Sequence, residues 1–351
     1  MSSKLRIAVV ANANSIHTIR WVNWLRQQEH KVTIFSLNEA EDCIYFGPEP
    51  PLDRSLIFNL GKNVRKTTSE LQSKIDEFKP DIVHGFFLVN HGMYASRIEG
   101  YPKVMTAMGS DILIAPKESK LLSWIVKRAI KNSDSIFGPP LLVDEIEKWN
   151  LNTELNENII GIDCSIFKPS EKTKTIVFAR GFKEVYNPIV VSKAIEVLSS
   201  KLDNYEFILC GDGPLKPESE RILSYCKNVQ FTGQISETKL AEIIGKAELV
   251  LSPSLSDSIP LTILEAVASG TPVVASNIPA NQKWVDRKLP VFLFKTEDSE
   301  SLVEEILKVI KDDSILENTV KTGPNLIKEK YRWEKEAEKV LKKYVDLVTS
   351  N

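Results

Sequence analysis

The chain has 351 residues, 42% of them hydrophobic and 26% charged, which is too long for one ordinary core and too apolar for a disordered chain, so two packed domains are expected. With 45 basic and 47 acidic side chains the net charge is −2, so there is no global field for nucleic acid and any phosphate site has to be local. Cys43, Cys164, Cys210 and Cys226 are scattered without CxxC spacing, which excludes a disulfide framework and a zinc cluster and fits a cytoplasmic, reducing compartment.

Residues 4–10 form an apolar run too short for the core of a signal peptide, and nowhere do about 18 apolar residues follow one another, so a first strand is expected and no membrane span. In chain order, Val-, Ile- and Phe-rich runs predict strands over 5–11, 31–37, 81–87, 103–107, 134–138 and 158–162. Helical spacing places Ile19, Val22 and Leu25 on one stripe of 16–29, and Leu71, Ile75 and Phe78 on one stripe of 67–78. The segment 119–132 carries Lys120, Lys127, Arg128 and Lys131 beside Leu121, Leu122, Trp124 and Ile125. It reads as a helix covering the sheet with a solvated basic face, or as a peripheral contact with the inner face of a membrane.

The pattern restarts after 161–169 and a charged stretch over 170–174. This predicts domains at 1–167 and 168–332. Strands over 175–180, 205–210, 228–232, 247–252, 272–276 and 291–294 alternate with helices in the second half. Trp333, Ala337, Val340, Leu341, Tyr344 and Val348 then predict an amphipathic helix over 333–351 that packs back on the body. The fold class is α/β, with two doubly wound Rossmann-like domains and an interdomain cleft, and ligands are expected at the carboxyl ends of the strands.

The most informative stretch is 254–276. Pro260 near a first turn, with Gly270 and Pro272 after the last, predicts a helix of about 260–269. Its N-terminus follows the strand 247–252, where open N–H groups around Ser258, Ile259 and Leu261 and the hydroxyl of Thr262 can meet phosphate oxygens. Glu265 falls one turn deeper on the same face, placed to accept from ribose hydroxyls, and Asp257 lies in the preceding loop.

Asp257 and Glu265 stand at the two acidic positions of a Glu-x7-Glu signature. With Gly211-Asp212-Gly213-Pro214, Phe231-Thr232-Gly233 and Gly161-Ile162-Asp163 in the same order, the chain resembles glycosyltransferase family 4. The resemblance implies a GT-B fold and retaining transfer of a hexose-type sugar from a nucleotide sugar, most often a UDP-sugar, to a saccharide or lipid-linked acceptor. It implies a donor site built from Gly211, Asp212, Gly213, Gly233, Ser258, Ile259, Leu261, Thr262 and Glu265. Arg180, followed by Tyr186-Asn187, matches the diphosphate-binding arginine. Val185 stands where the usual lysine would be, which leaves Lys183 as its substitute. No metal or other cofactor is expected, because Arg180, a lysine and the helix end would neutralise the diphosphate.

In the first half, Gly109-Ser110-Asp111 resembles the family's segment after a strand, with Met108 where many relatives have histidine. Asn14 and His17 in the first loop complete the acceptor side, and Asp111 and His17 join Arg180, Lys183, Asp257 and Glu265 as catalytic candidates. Each has a plainer reading as a turn, cap or solvated residue. A nucleotide-sugar epimerase and a non-catalytic nucleotide-sugar-binding protein are the alternatives. Asn12-Ala13-Asn14 and Arg180-Gly181-Phe182 replace the GxGxxG that a dinucleotide oxidoreductase would carry.

Overall fold

The computed structural model describes residues 4–49 and 63–350. The chain forms two compact units. One comprises the residues up to Ile160 with the stretch from Glu336 onward, and the other is Gly161–Lys335.

The first unit is built on a parallel sheet. Its described strands are β1 (Arg6–Val10), β2 (Lys31–Ser36), β3 (Ile44–Tyr45), β4 (Ile82–Phe86), β5 (Lys103–Thr106), β6 (Ser135–Gly138) and β7 (Glu154–Glu157), in the order β3-β2-β1-β4-β5-β6-β7. Ile7 of β1 lies opposite Val32 of β2 and Ile82 of β4. Ile7, Ala8, Val9 and Val10 are all fully buried. A central parallel strand covered by helices on both faces needs such an unbroken apolar run.

The expected strand over 158–162 does not form. The edge position beside β6 is taken by β7, whose sequence is Glu154-Leu155-Asn156-Glu157 and whose residues are partly or fully exposed. An edge strand pairs on one side only and needs no apolar run, so its polar sequence carries little signal. The helix expected over 67–78 begins earlier and spans Asn63–Phe78. Helix Lys120–Lys131 buries Leu122, Ile125, Val126, Ala129 and Ile130 against the unit and is capped by Ser119, whose hydroxyl accepts from the Leu121 N–H at 3.2 Å. No helix among the described residues is long and apolar enough to cross a membrane.

The second unit repeats the plan with β8 (Thr175–Ala179), β9 (Glu206–Cys210), β10 (Val229–Gly233), β11 (Leu249–Ser252), β12 (Val273–Ser276) and β13 (Val291–Phe294). They lie in the order β10-β9-β8-β11-β12-β13 with every pairing parallel. Chain direction across each sheet reverses beside the first strand of the unit, between β1 and β4 and between β8 and β11. These are the switch points at which ligands of open α/β sheets bind.

The break between the units falls at Ile160 and Gly161 rather than at 167 and 168, because 161–174 is fastened to the second unit. Ile162 exchanges backbone bonds with Tyr331 and Trp333 at 2.9 Å each. The Lys172 ammonium donates to the carbonyls of Gly245 and Ser269 at 2.9 Å and to Thr271 Oγ1 at 2.6 Å, and burial pulls its pKa down to about 7.

The last helix, Trp333–Thr349, starts in the second unit, and its residues from Glu336 onward belong to the first. Two buried anchors hold it there. Glu336 Oε2 accepts from Asn158 Nδ2 at 3.1 Å and from the Ile159 N–H at 3.0 Å. The Tyr344 hydroxyl bonds His84 Nδ1, and the other nitrogen of that ring bonds Thr106 Oγ1 at 2.8 Å.

Candidate active site

At the switch point of the second sheet, Arg180 leaves the end of β8 and Asp257 lies in the loop after β11. Their side chains form an ion pair, 14% and 12% exposed. The Arg180 guanidinium also lies over the Tyr186 ring at 4.3 Å, and its Nε is buried with no hydrogen-bond partner among the described residues. The carboxylate and the ring thus hold the guanidinium from two sides. Lys183, three residues on, is exposed to solvent. The Leu255 N–H donates to the Val185 carbonyl at 2.8 Å and ties the loops after β8 and β11 together.

The glycine loop after β9 supports Arg180 from behind. Gly211 and Gly213 have φ of +113° and +153°. A Cβ on Gly211 would stand 2.7 Å from the Arg180 carbonyl oxygen, and one on Gly213 would stand 2.6 Å from that of Phe182. Only glycine permits both this backbone conformation and this approach. The Phe182 N–H donates to the Asp212 carbonyl at 3.0 Å, the Asp212 carboxylate accepts from the Gly213 N–H at 2.8 Å, and Gly233 accepts from the Gly211 N–H at 2.8 Å. The four residues expected to touch the donor thus also form the frame that fixes the Arg180 loop.

The helix after β11 spans Leu261–Ala268 with Pro260 as its N-cap. It has no side-chain cap and no acidic residue in its first turn. Its first turn adds no negative charge of its own to the positive end of the helix dipole. Asp257 Oδ1 accepts from the Ser258 N–H at 2.8 Å, and the Ile259 carbonyl accepts from the Leu261 N–H at 2.9 Å. Thr262 is buried and Glu265 half-buried. The N–H groups of Ser258 and Leu261, expected to be open for phosphate, are thus already taken within the loop, and Glu265 lies one turn deeper.

In the first unit, a cavity of about 260 Å³ at the carboxyl ends of β1 and β4 is lined by His17, Met108, Phe87, Asn90 and Glu49 among others. Burial, and then the nearby Arg20 charge, lower the His17 pKa and keep the ring neutral near pH 7. Asn14 is not brought to this cavity. Its side chain turns away to the Glu39 carbonyl at 3.3 Å. Ser110 is exposed on the short helix Ser110–Leu113, which Gly109 opens with φ of +138°.

Asp111 is placed differently from the expected sugar contact. It is fully buried, and its carboxylate accepts from the N–H groups of Leu88, Met108 and Gly109 at 3.0, 3.1 and 2.8 Å. Burial raises its pKa, and these backbone bonds oppose the rise. In this arrangement it is a positioning residue that joins the loop after β4 to the loop after β5.

Sequence reasoning missed Phe87, Asn90 and Glu49. Phe87 has φ of +60°, held by bonds from its N–H to Thr106 and from the Gly92 N–H to its carbonyl. Strain of this kind collects at functional sites. Asn90 donates to Glu49, while its Oδ1 is buried without a partner among the described residues. The placement of Phe87 and Asn90 directly after the strand β4 was the available signal.

Two family profiles match in the order of the two units. The profile described as Glycosyl transferase 4-like matches residues 6–138, and Glycosyl transferases group 1 matches 165–326. The two halves of the chain are thus each similar to a glycosyltransferase family, the first to the 4-like one. Among curated relatives, a sulfoquinovosyl transferase of Arabidopsis thaliana is 24% identical over 89% of the chain and 66% of its own length. A putative teichuronic acid biosynthesis glycosyltransferase of Bacillus subtilis is 26% identical over 65% of the chain and 61% of its own length. The chain thus spans just under two thirds of these relatives. Anabaena HepE, crystallised in complex with UDP, superposes with a TM-score of 0.78 at 14% identity, covering 98% of the chain and 100% of HepE, which shows a shared GT-B fold.

Proposed function

We propose that this glycosyltransferase moves a hexose-type sugar from a nucleoside diphosphate sugar of the UDP class to a saccharide or lipid-linked acceptor in the cytoplasm, with retention of configuration and without a metal ion. One observation carries the reading. Arg180 stands at the switch point of the second sheet, paired with Asp257 and framed by Gly211 and Gly213, in the same unit as the uncapped start of helix Leu261–Ala268.

When the bond to the sugar breaks, negative charge grows on the leaving diphosphate. A fixed guanidinium and the N–H groups of a helix start stabilise that charge more than they stabilise the intact donor. Lys183 adds a mobile positive charge, and Glu265 accepts from the ribose hydroxyls. The presence of UDP in HepE supports the donor class. Met108 offers no base at its position, so the leaving phosphate oxygen takes the acceptor proton as the new bond forms on the face the leaving group vacates. His17 and the cavity after β1 and β4 orient the acceptor.

A panel of nucleotide sugars, followed for thermal stabilisation and for release of free nucleotide with and without EDTA, tests this reading, since a bound donor raises apparent stability by mass action. EDTA-resistant release from a UDP-sugar is the expected result. Release abolished by EDTA would overturn metal independence, and stabilisation without release under acceptor mixtures would leave a binding protein instead of a transferase.

A further inference from the structure

The first unit holds a second, larger cavity of about 650 Å³ that shares no lining residue with the one at the carboxyl ends of β1 and β4. Three arginines from three elements line it. Arg65 comes from helix Asn63–Phe78, Arg97 from the segment after the short helix His91–Ala95, and Arg128 from helix Lys120–Lys131. Trp124, one turn before Arg128, is 51% exposed, and the Arg128 guanidinium lies over its ring at 5.4 Å.

Arg97 is half-buried and fixed through its Nη1, which donates to the Met93 carbonyl at 2.6 Å. None of the three arginines forms an ion pair among the described residues. Glu99 also lines the cavity, but Gln72 holds its backbone, through bonds of 2.9 and 3.2 Å, and its carboxylate makes no ion pair with the arginines. Burial, and next the like charge of Arg128, lower the Arg97 pKa.

Guanidinium groups present planar forks of donors that match phosphate oxygens, and an aromatic face beside them accepts an apolar neighbour. We propose that this cavity is an anion site that holds the phosphate of a phosphate-bearing molecule between Arg65, Arg97 and Arg128, with the molecule's apolar part resting on Trp124. The phosphate belongs either to a soluble phosphomonoester or to the headgroup of an anionic phospholipid. Both sources use the same contacts, and the second would make helix Lys120–Lys131 a peripheral membrane contact.

The test uses the full chain without any nucleotide sugar, so it reads independently of sugar transfer. Glycerol 3-phosphate is titrated by calorimetry, and vesicles of phosphatidylcholine with and without phosphatidylglycerol are tested by co-sedimentation. Binding to either probe is expected, at least tenfold weaker in the double variant Arg97→Gln, Arg128→Gln. Trp124→Ala should weaken vesicle binding and leave glycerol 3-phosphate binding within twofold. Binding of the soluble ester alone assigns a free phosphate group, and binding of anionic vesicles assigns a headgroup. If the double variant does not fold, single Arg65→Gln and Arg128→Gln variants at these exposed positions are expected to weaken binding severalfold each. No binding of either probe, or unchanged binding by the folded variants, overturns the site.

Discussion

Arg180 and Asp257 form an ion pair between the ends of β8 and β11, the neighbouring strands at which the order of the second sheet reverses. If the cation serves the leaving diphosphate, Arg180→Ala should lower kcat/KM by roughly 100- to 1000-fold, the usual loss for one transition-state charge contact. Steady-state kinetics with the donor that the panel selects would measure it. A loss under fivefold in a variant with wild-type melting behaviour would remove Arg180 from the site.

Gly211→Ala should disturb the same arginine from behind. The added carbon meets the Arg180 carbonyl oxygen at 2.7 Å, and the backbone there has φ of +113°. Overpacking against backbone costs about 1–3 kcal/mol, so a lowered denaturation midpoint should accompany reduced donor binding. Chemical denaturation with nucleotide titration checks both, and a variant as stable as the parent with unchanged affinity would show that the loop has room.

Acid should weaken the first unit before the second. Burial pulls His84 down to about 3 and His91 to about 4, and the Leu37 N–H donates to His91 Nε2 at 3.1 Å, a bond that only the neutral ring can accept. The unfolded chain takes up these protons near pH 6.5, while the folded chain does so only below about 4. Stability present above pH 6.5 is therefore lost as the pH falls toward 4, by up to ~1.4 kcal/mol per pH unit for each ring. His17 and His30 shift the same way, and all four histidines of the chain lie in this unit. Hydrogen exchange between pH 7 and pH 4.5 should show its amides losing protection first, and earlier loss in the second unit would refute the assignment.

Lys172→Met keeps the length of the side chain and removes its three donated hydrogen bonds. The Gly245 and Ser269 carbonyls lose that donor, so a destabilisation of about 1–3 kcal/mol is expected. Urea unfolding would measure it. No change would mean that water replaces the ammonium without penalty.

Most of the fold was legible because central parallel strands must be apolar throughout. β1, β8 and β11 announce themselves in this way, and the loops after them then locate Arg180 and Asp257. What escaped lacked a local signature. β7 is a polar edge strand, so the apolar run just after it drew the expectation instead. Asp111 stands in a segment that suggests a ligand contact, yet its carboxylate is occupied by backbone N–H groups, one of them from Leu88, 23 residues away. The bond between His84 and Tyr344 joins residues 260 positions apart, and nothing in either neighbourhood foretells the other.

That last bond also bears on how the protein is made. The pocket for Tyr344 is assembled from residues near position 84, but its occupant is synthesised only after the whole second unit. During translation the second unit can therefore reach its final form while the first still exposes an apolar slot beside Trp21 and His84. The order of completion runs opposite to the order of synthesis, and the nascent chain carries a vacant docking groove for the time needed to translate Gly161–Lys335.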